Sequence, residues 1–345
     1  MILGVILSEF APKVREALNT VHFDSVSVPI AIGLVVMMWP ILTKVQYEKL
    51  PHIFTSAKIW VHIGISLVLN WLIGPFVMLG LAWATLPDLP TYRTGVIMVG
   101  LARCIAMVMI WNTIARGDAE YCAILVVVNA ILQIILYSPY ALLFINVIGG
   151  QETSIHVSYR DVAISVLIYL GIPLGAGVVT RYTIWFIAGK RFLNDKFLPL
   201  FSPLALLGLL YTIIVLFAYQ GHQILHNIGP VFRVFVPLVL YFIIMWTSAF
   251  AFMYYMARKE RRQNRFFDYD IAVAQTFTAS SNNFELAIAV AIAVYGVNSQ
   301  QALAATIGPL VEVPVLLALT WVALLSKHKL NWRRLDDSGE GIQAV

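Results

Sequence analysis

Residues 275–296 read QTFTASSNNFELAIAVAIAVYG. The second half is apolar enough for lipid, yet Thr278, Ser280, Ser281, Asn282 and Asn283 stand before Glu285 with no apolar spacer longer than one residue. Short polar side chains compete with the helix for backbone hydrogen bonds, so the pattern predicts a helix that breaks or loosens partway. Irregular backbone at membrane depth is tolerated only inside protein or beside a water-filled cavity. This segment must therefore face the interior of a membrane-embedded bundle, and the rest of the chain must supply that bundle.

The composition meets that demand. Hydrophobic residues make up 60% of the 345 and charged residues only 12%, where a soluble domain carries about a quarter charged. Stretches free of Asp, Glu, Lys and Arg run 25–43, 59–87, 121–151, 162–180, 197–232 and 234–257, and each can hold the roughly 20 residues of a membrane-spanning helix. Three more spans, 94–115, 271–296 and 301–326, enclose one charge each: Arg103, Glu285 and Glu312. The alternating periodicity of a membrane barrel is absent. The N-terminal MILGVILSEFAP is apolar but about half a span long, and it lacks the basic start and small-residue cleavage site of a signal peptide. It reads as the second half of a first, truncated helix and brings the expected total to ten.

Charge placement agrees with ten. Lys44, Lys49 and Lys58 occupy one loop, Arg181, Lys190, Arg191 and Lys196 a second, RKERRQNRFFDYD a third over 258–270, and Lys327, Lys329, Arg333 and Arg334 the tail. The alternate loops, 85–93, 221–232 and 297–300, carry almost no basic residues. This is the positive-inside asymmetry, which puts both termini and the basic loops in the cytoplasm. The net charge of +5 then reflects topology and not a nucleic-acid partner. No GxxxxGK[ST] loop occurs, so energy must come from an ion gradient or a separate subunit. Cys104 and Cys122 form neither a disulfide nor a zinc spacing, and no cofactor, metal or enzyme activity is expected.

Ten helices suit two inverted repeats of five: 1–148 and 158–326, an outer linker 149–157 between them, and a basic cytoplasmic tail 327–345. Transporters built this way carry interrupted helices at matching positions of the halves, with the site where they meet. The segment containing GLARCIAMVMIWN (100–112) is the fourth and that containing QTFTASSNNFELAIAVAIAVYG is the ninth, which is fourth in its own half. Both are polar near their centres.

Glu285 lies about halfway through its span, where a carboxylate is costly unless paired, hydrated or protonated, and where such groups mark ion or proton paths. A structural ion pair with Arg103 is the other reading. Cys104 beside Arg103 is either a small core residue or a thiol whose reactive form the cation favours. Glu312, between Pro309 and Pro314, is either a cap for donors exposed by a proline kink or a second functional carboxylate. Asp118 in GDAEY is a helix cap with Tyr121 at the interface. His222 and His226 have helical i, i+4 spacing but no third ligand. His62 is the one histidine well inside a span, and no base adjoins Cys104 in sequence, so a Cys-His hydrolase has little support.

Several stretches resemble the Acr3 family of arsenite efflux permeases, within the bile acid/sodium symporter superfamily: ARCIAMVMIWNTIARGDAEY (102–121), LVVVNAILQ (125–133), TFTASSNNFELAIAVAIAVYGVNS (276–299) and AATIGPLVEVPVLLAL (304–319). The likeness begins at SVPIAIGLVVMMWP (27–40) and covers nearly the whole chain. It implies helices four and nine broken and crossing at the substrate site. It also implies export of arsenite, and of antimonite, across the cell membrane in exchange for protons, with no ATPase subunit. The cysteine of RCIAM and the glutamate of NNFELA, here Cys104 and Glu285, are the family's functional pair. As(OH)₃ is neutral and its arsenic soft, so a single sulfur plus hydroxyl-directed hydrogen bonds from Asn112, Asn282 and Asn283 would bind it firmly enough to load and loosely enough to leave. Arg103 would support the thiol or pair with Glu285, and Glu312 is the next candidate for proton coupling. The rival on the same fold is a sodium-coupled importer of organic anions, with Ser280–Asn283 and Glu285 supplying oxygens to sodium.

Overall fold

The break expected before Glu285 is present. Helix α12 (Tyr269–Ser280) stops at Ser281, whose φ/ψ of −95°/153° is extended, and α13 (Phe284–Tyr295) begins three residues later. A second interruption lies at the Arg-Cys pair, where α4 (Pro90–Leu101) ends at an extended Ala102 and α5 (Met107–Ile114) resumes.

The computed structural model describes residues 8, 22–23, 26–49, 57–105, 107–149, 158–226, 228–259, 266–330 and 332. The N-terminal half-span apart from Ser8, most of the outer linker, the middle of the third basic loop, the His222 side chain and most of the tail lie outside these residues. Among the described residues, apart from the antiparallel two-residue strands β1 (His22–Phe23) and β2 (Val26–Ser27) and one isolated bridge, the secondary structure is helical. The earlier helices are α1 (Val28–Lys44), α2 (Ala57–Leu67), α3 (Gly74–Thr85) and α6 (Ala119–Ala141). A π turn over Val68–Ile73 joins α2 to α3. After the linker come α7 (Tyr159–Val166), α8 (Ile172–Phe192), α9 (Leu198–Phe201), α10 (Pro203–His226), α11 (Ile228–Lys259) and finally α14 (Gln300–Lys329).

Five helical stretches among the described residues are long and apolar enough to cross a bilayer. Large apolar side chains point outward, with Val147 70%, Phe186 82%, Leu200 84% and Trp321 63% exposed, which only lipid solvates without penalty. The protein is an all-α, multi-pass membrane protein.

Two groups of helices emerge from the packing. Helix α1 lies chiefly on α8 and α10. Helix α11 lies on α12, α14 and α3, while α4 lies on α14 and α3. Short α7 packs on α6 and α13 and leads through a π segment, Leu167–Gly171, into α8. At the loop end of α1, the fully buried Arg181 of α8 grips Glu48 with two bonds, 2.9 Å to Oε2 and 2.6 Å to Oε1, and donates to the Thr43 carbonyl at 3.2 Å. Burial pushes the Glu48 carboxyl up, but the Arg181 hydrogen bonds and charge outweigh it and hold it below the ordinary carboxylate range.

One sequence boundary is corrected. Residues 181–188, expected in a loop because of their charges, continue α8, since Glu48 satisfies Arg181, and the helix kinks only at Gly189, whose φ/ψ is 83°/160°. Helix α10 ends at His226 and α11 begins at Ile228, inside the expected loop 221–232, and Arg233 in the first turns of α11 forms a bidentate pair with Asp88, 2.7 and 2.5 Å. Helix α14 runs unbroken through Pro309 and Pro314.

Candidate functional site

The two interruptions meet. Arg103 and Asn282 form an antiparallel bridge between the extended segments, and the Asn283 N–H donates to the Ala102 carbonyl at 3.1 Å. A helix that stops inside protein leaves carbonyls without partners. Here the Asn282 amide supplies them, donating to Val99 O at 2.9 Å and Ala102 O at 3.1 Å. On the far side of the crossing, Asn283 Oδ1 accepts from Leu286 N at 3.1 Å and so caps α13. Cys104 does the equivalent for α5, its Sγ accepting from Val108 N at 3.3 Å. The Arg103 N–H goes to Gln133 Oε1 on α6.

Arg103 is fully buried, and its Nη1 donates to the Tyr241 hydroxyl of α11 at 2.9 Å. It forms no ion pair with a carboxylate among the described residues, so the expected pairing with Glu285 is replaced by Tyr241. The guanidinium crosses directly over Gly74, where a Cβ would lie 2.8 Å from Nη1. The π turn and this glycine together open the space that the charge occupies. Nε and Nη2 of Arg103 have no hydrogen-bond partner among the described residues, nor do Gln133 Nε2, Asn282 Oδ1, Asn283 Nδ2 and Ser280 Oγ. Buried polar atoms are nearly always paired, so a concentration of unpaired ones at a crossing marks a place built for a guest or for water.

Cys104 is 2% exposed and has the Ser281 side chain within hydrogen-bonding reach. Glu285, by contrast, faces a narrow cleft of about 20 Å³, room for about one water, between α1 and α10 on one side and α13 and α14 on the other. Cys104 does not line it. Glu312 is buried on α14 and accepts from the Trp111 indole at 3.4 Å. It therefore binds a side chain of α5, not backbone donors freed by a kink.

Asn112 sits apart from the crossing. Its amide donates to the Asp118 carbonyl at 3.1 Å and its own carbonyl accepts from Gly117 N at 2.8 Å, closing the α5–α6 turn. That turn engages the Asn112 donor, while its Oδ1 has no partner among the described residues. Asp118 caps α6 through Tyr121 N at 2.9 Å, as expected. Tyr121 turns inward to Gln275 at 3.3 Å instead of to the interface, and it packs against His62 at a ring separation of 5.2 Å. Gln133, Trp111 and Tyr241 were not singled out from the sequence. Gln133 was recoverable, being a polar residue inside an otherwise apolar span.

The sodium/bile acid symporter family model matches residues 31–227. The chain is 42% identical over 334 residues to an arsenical-resistance protein Acr3 of Corynebacterium glutamicum, covering 96% of this chain and 87% of the relative. It is 30% identical over 338 residues to an arsenical-resistance protein Acr3 of Alkaliphilus metalliredigens, covering 95% and 90%. It is also 32% identical to an uncharacterized transporter of Synechocystis, covering 92% and 84%.

Proposed function

The chain belongs to the Acr3 branch of the sodium/bile acid symporter family, and from that premise we propose that it exports arsenite, As(OH)₃, and antimonite from the cytoplasm in exchange for protons. The observation that carries the reading is the crossing of the two interrupted helices. It sets a single thiol, Cys104, among unpaired hydrogen-bonding atoms, with the carboxyls of Glu285 and Glu312 on the helices alongside.

The chemistry follows from those groups. The Cys104 thiol displaces one hydroxyl of As(OH)₃; an S–As bond forms, an As–O bond breaks, and the thiol proton leaves with the hydroxyl as water. Asn282 Oδ1 accepts from a remaining hydroxyl and Asn283 Nδ2 donates to the other. The reverse hydrolysis releases As(OH)₃ on the far side. One sulfur ligand keeps that release fast, in line with the need of any conduction path to bind and to let go. Arg103 contributes a fixed positive charge held by Tyr241, and that charge disfavours a sodium ion at the crossing. Glu285 alternates between neutral and charged forms as it exchanges protons with the two sides, with Glu312 as the second carboxyl of the path.

The same reading places ten spans in two inverted repeats, 1–148 and 158–326, joined by an outer linker 149–157. It puts the tail 327–345 and the N-terminus in the cytoplasm and the protein in the cell membrane, with no ATPase subunit. The matching rank of the two interrupted segments and the distribution of basic residues support it. Arsenic uptake into everted vesicles under an imposed pH gradient, acidic inside, tests the function. Accumulation that persists without sodium is expected; uptake of an organic anion that requires sodium, with none of arsenite, would overturn it.

A further inference from the structure

The end of α8 carries an exposed surface of two characters. From Tyr159 to Ala188 the helix through α7, its π segment and α8 runs about 45 Å at about 1.5 Å per residue. The hydrocarbon layer is only about 30 Å thick, so the last turns stand among the headgroups. Tyr182, Trp185 and Phe186 stack there, with ring separations of 5.8 Å for the first pair and 6.2 Å for the second, at interplanar angles of 21° and 14°. Phe186 and Ile187 are exposed beside them. The chain then kinks at Gly189, where φ is 83° and a side chain would be strained. The kink brings a group of cations against the aromatic ladder. Lys190 Nζ lies 5.4 Å from the centre of the Trp185 ring, a cation–π contact. The Arg191 side chain is 97% exposed, and Lys196 is exposed on the π segment Leu193–Phe197 that follows.

Two carboxylates stand nearby and do not cancel this charge. Glu48 is taken by Arg181 and lies 3.9 Å from Lys190, while Asp195 lies 3.7 Å from Arg191 Nε. Lys44 adds another exposed cation at the end of α1, where its carbonyl accepts from Arg181 at 3.4 Å. Lys44, Arg181, Lys190, Arg191 and Lys196 outnumber Glu48 and Asp195, so the surface is positive. A soluble acidic partner leaves the aromatic ladder uncovered, and a zwitterionic lipid leaves the charge unanswered. We propose that the end of α8 binds an anionic phospholipid, with the phosphate held by Lys190 and Arg191 and an acyl chain lying along Tyr182, Trp185 and Phe186. Basic segments at a membrane surface gain about fivefold in affinity for anionic lipid per cation, and a guanidinium suits phosphate through paired N–H donors. The site lies on α1 and α8, away from the crossing, and does not depend on what the crossing carries.

The test is native mass spectrometry of the full chain released from nanodiscs holding equal parts of phosphatidylglycerol and phosphatidylcholine. The wild type should retain phosphatidylglycerol over phosphatidylcholine by about tenfold or more. Arg191→Gln should lower that preference about fivefold, Lys190→Gln with Arg191→Gln should remove it, and Arg191→Lys should keep most of it. Arg191→Gln changes a fully exposed side chain, so its melting temperature should match the wild type and separate lipid binding from folding. Phe186→Ser should lower the retention of both lipids and leave their ratio unchanged. Equal retention of the two lipids by the wild type would overturn the proposal, as would a preference unmoved by both glutamine variants. Inorganic phosphate that raises the melting temperature in detergent as much as phosphatidylglycerol does would reduce the site to one for a free anion and overturn it too. A second copy of the chain retained in place of lipid, and lost in Phe186→Ser, would make this surface a dimer interface instead.

Discussion

Asn282 on one interrupted helix closes the carbonyl end of the other at Ala102, so each break supplies what its neighbour lacks. The donor side chain, the bridge to Arg103 and the Asn283 N–H all converge on two turns of backbone. Replacing Asn282 by Ala removes both amide donors and leaves the Val99 carbonyl buried without its side-chain partner. Val99 O keeps the Ala102 N–H and Ala102 O the Asn283 N–H, so each lost bond costs about 0.5–1.5 kcal/mol. Asn282→Ala should therefore lower the melting temperature in detergent. Asn282→Asp, which keeps the shape but not the donors, should do no better. Unchanged melting of both would show that the amide does not hold the crossing.

Cys104→Ser is expected to abolish arsenite export at matched membrane levels, because serine keeps the size and a hydroxyl but not the soft sulfur. Cys122→Ser should be nearly silent, since Cys122 is buried on α6 and no step is assigned to it. Vesicle uptake measures both. Export by Cys104→Ser at the wild-type rate would contradict the thiol chemistry.

Glu285→Gln fixes the neutral form and keeps the shape. Reciprocal linkage requires that, if arsenite binding displaces the proton, protonation must weaken arsenite binding by the same factor. The variant should lose gradient-driven accumulation yet still bind arsenite, with binding almost flat between about pH 5 and 8. The wild type should release protons on binding in the same range. Gradient-driven accumulation at the wild-type rate would move the proton path to Glu312.

The grip of Arg181 on Glu48 offers a test of stability alone. Glu48→Ala strands a buried guanidinium and should cost about 3 kcal/mol, whereas Glu48→Ala with Arg181→Met should recover most of it. The pH dependence has a definite sign. The folded carboxyl is held below its ordinary range, so its contribution is complete above the unfolded value and fades only as pH falls towards the folded one. The difference between wild type and Glu48→Ala should stay constant from about pH 8 down to about pH 5 and shrink below that. A difference that grows on acidification would refute the pairing.

The interruption at 281–283 was legible because five small polar residues in an apolar span leave the backbone few alternatives. The meeting of that interruption with Arg103 was legible only as a match of rank between halves, or through the family resemblance. Where Arg103 points was not legible. A buried cation demands partners, but sequence does not say whether the partner is a carboxylate 182 positions on or, as here, the hydroxyl of Tyr241 138 positions away. Charge also misplaced a helix end. Arg181 looks like a loop residue until Glu48 is seen to neutralise it. Asn112 illustrates the opposite failure. Its amide suited a substrate hydroxyl in principle, but the local turn had the prior claim on it.

The joint between the two interruptions has a mechanical corollary. A seam stitched by Asn282, Asn283 and Gln133 cannot slip by one residue without stranding several buried donors and acceptors at once. The thiol and the carboxyl are therefore mounted on one carriage. Helices α1 and α10 touch that carriage sparingly, as a rail touches what runs along it. Under the proposed export cycle, exchange between the two faces of the membrane would reduce to where the carriage stands on the rail, with the seam shut throughout.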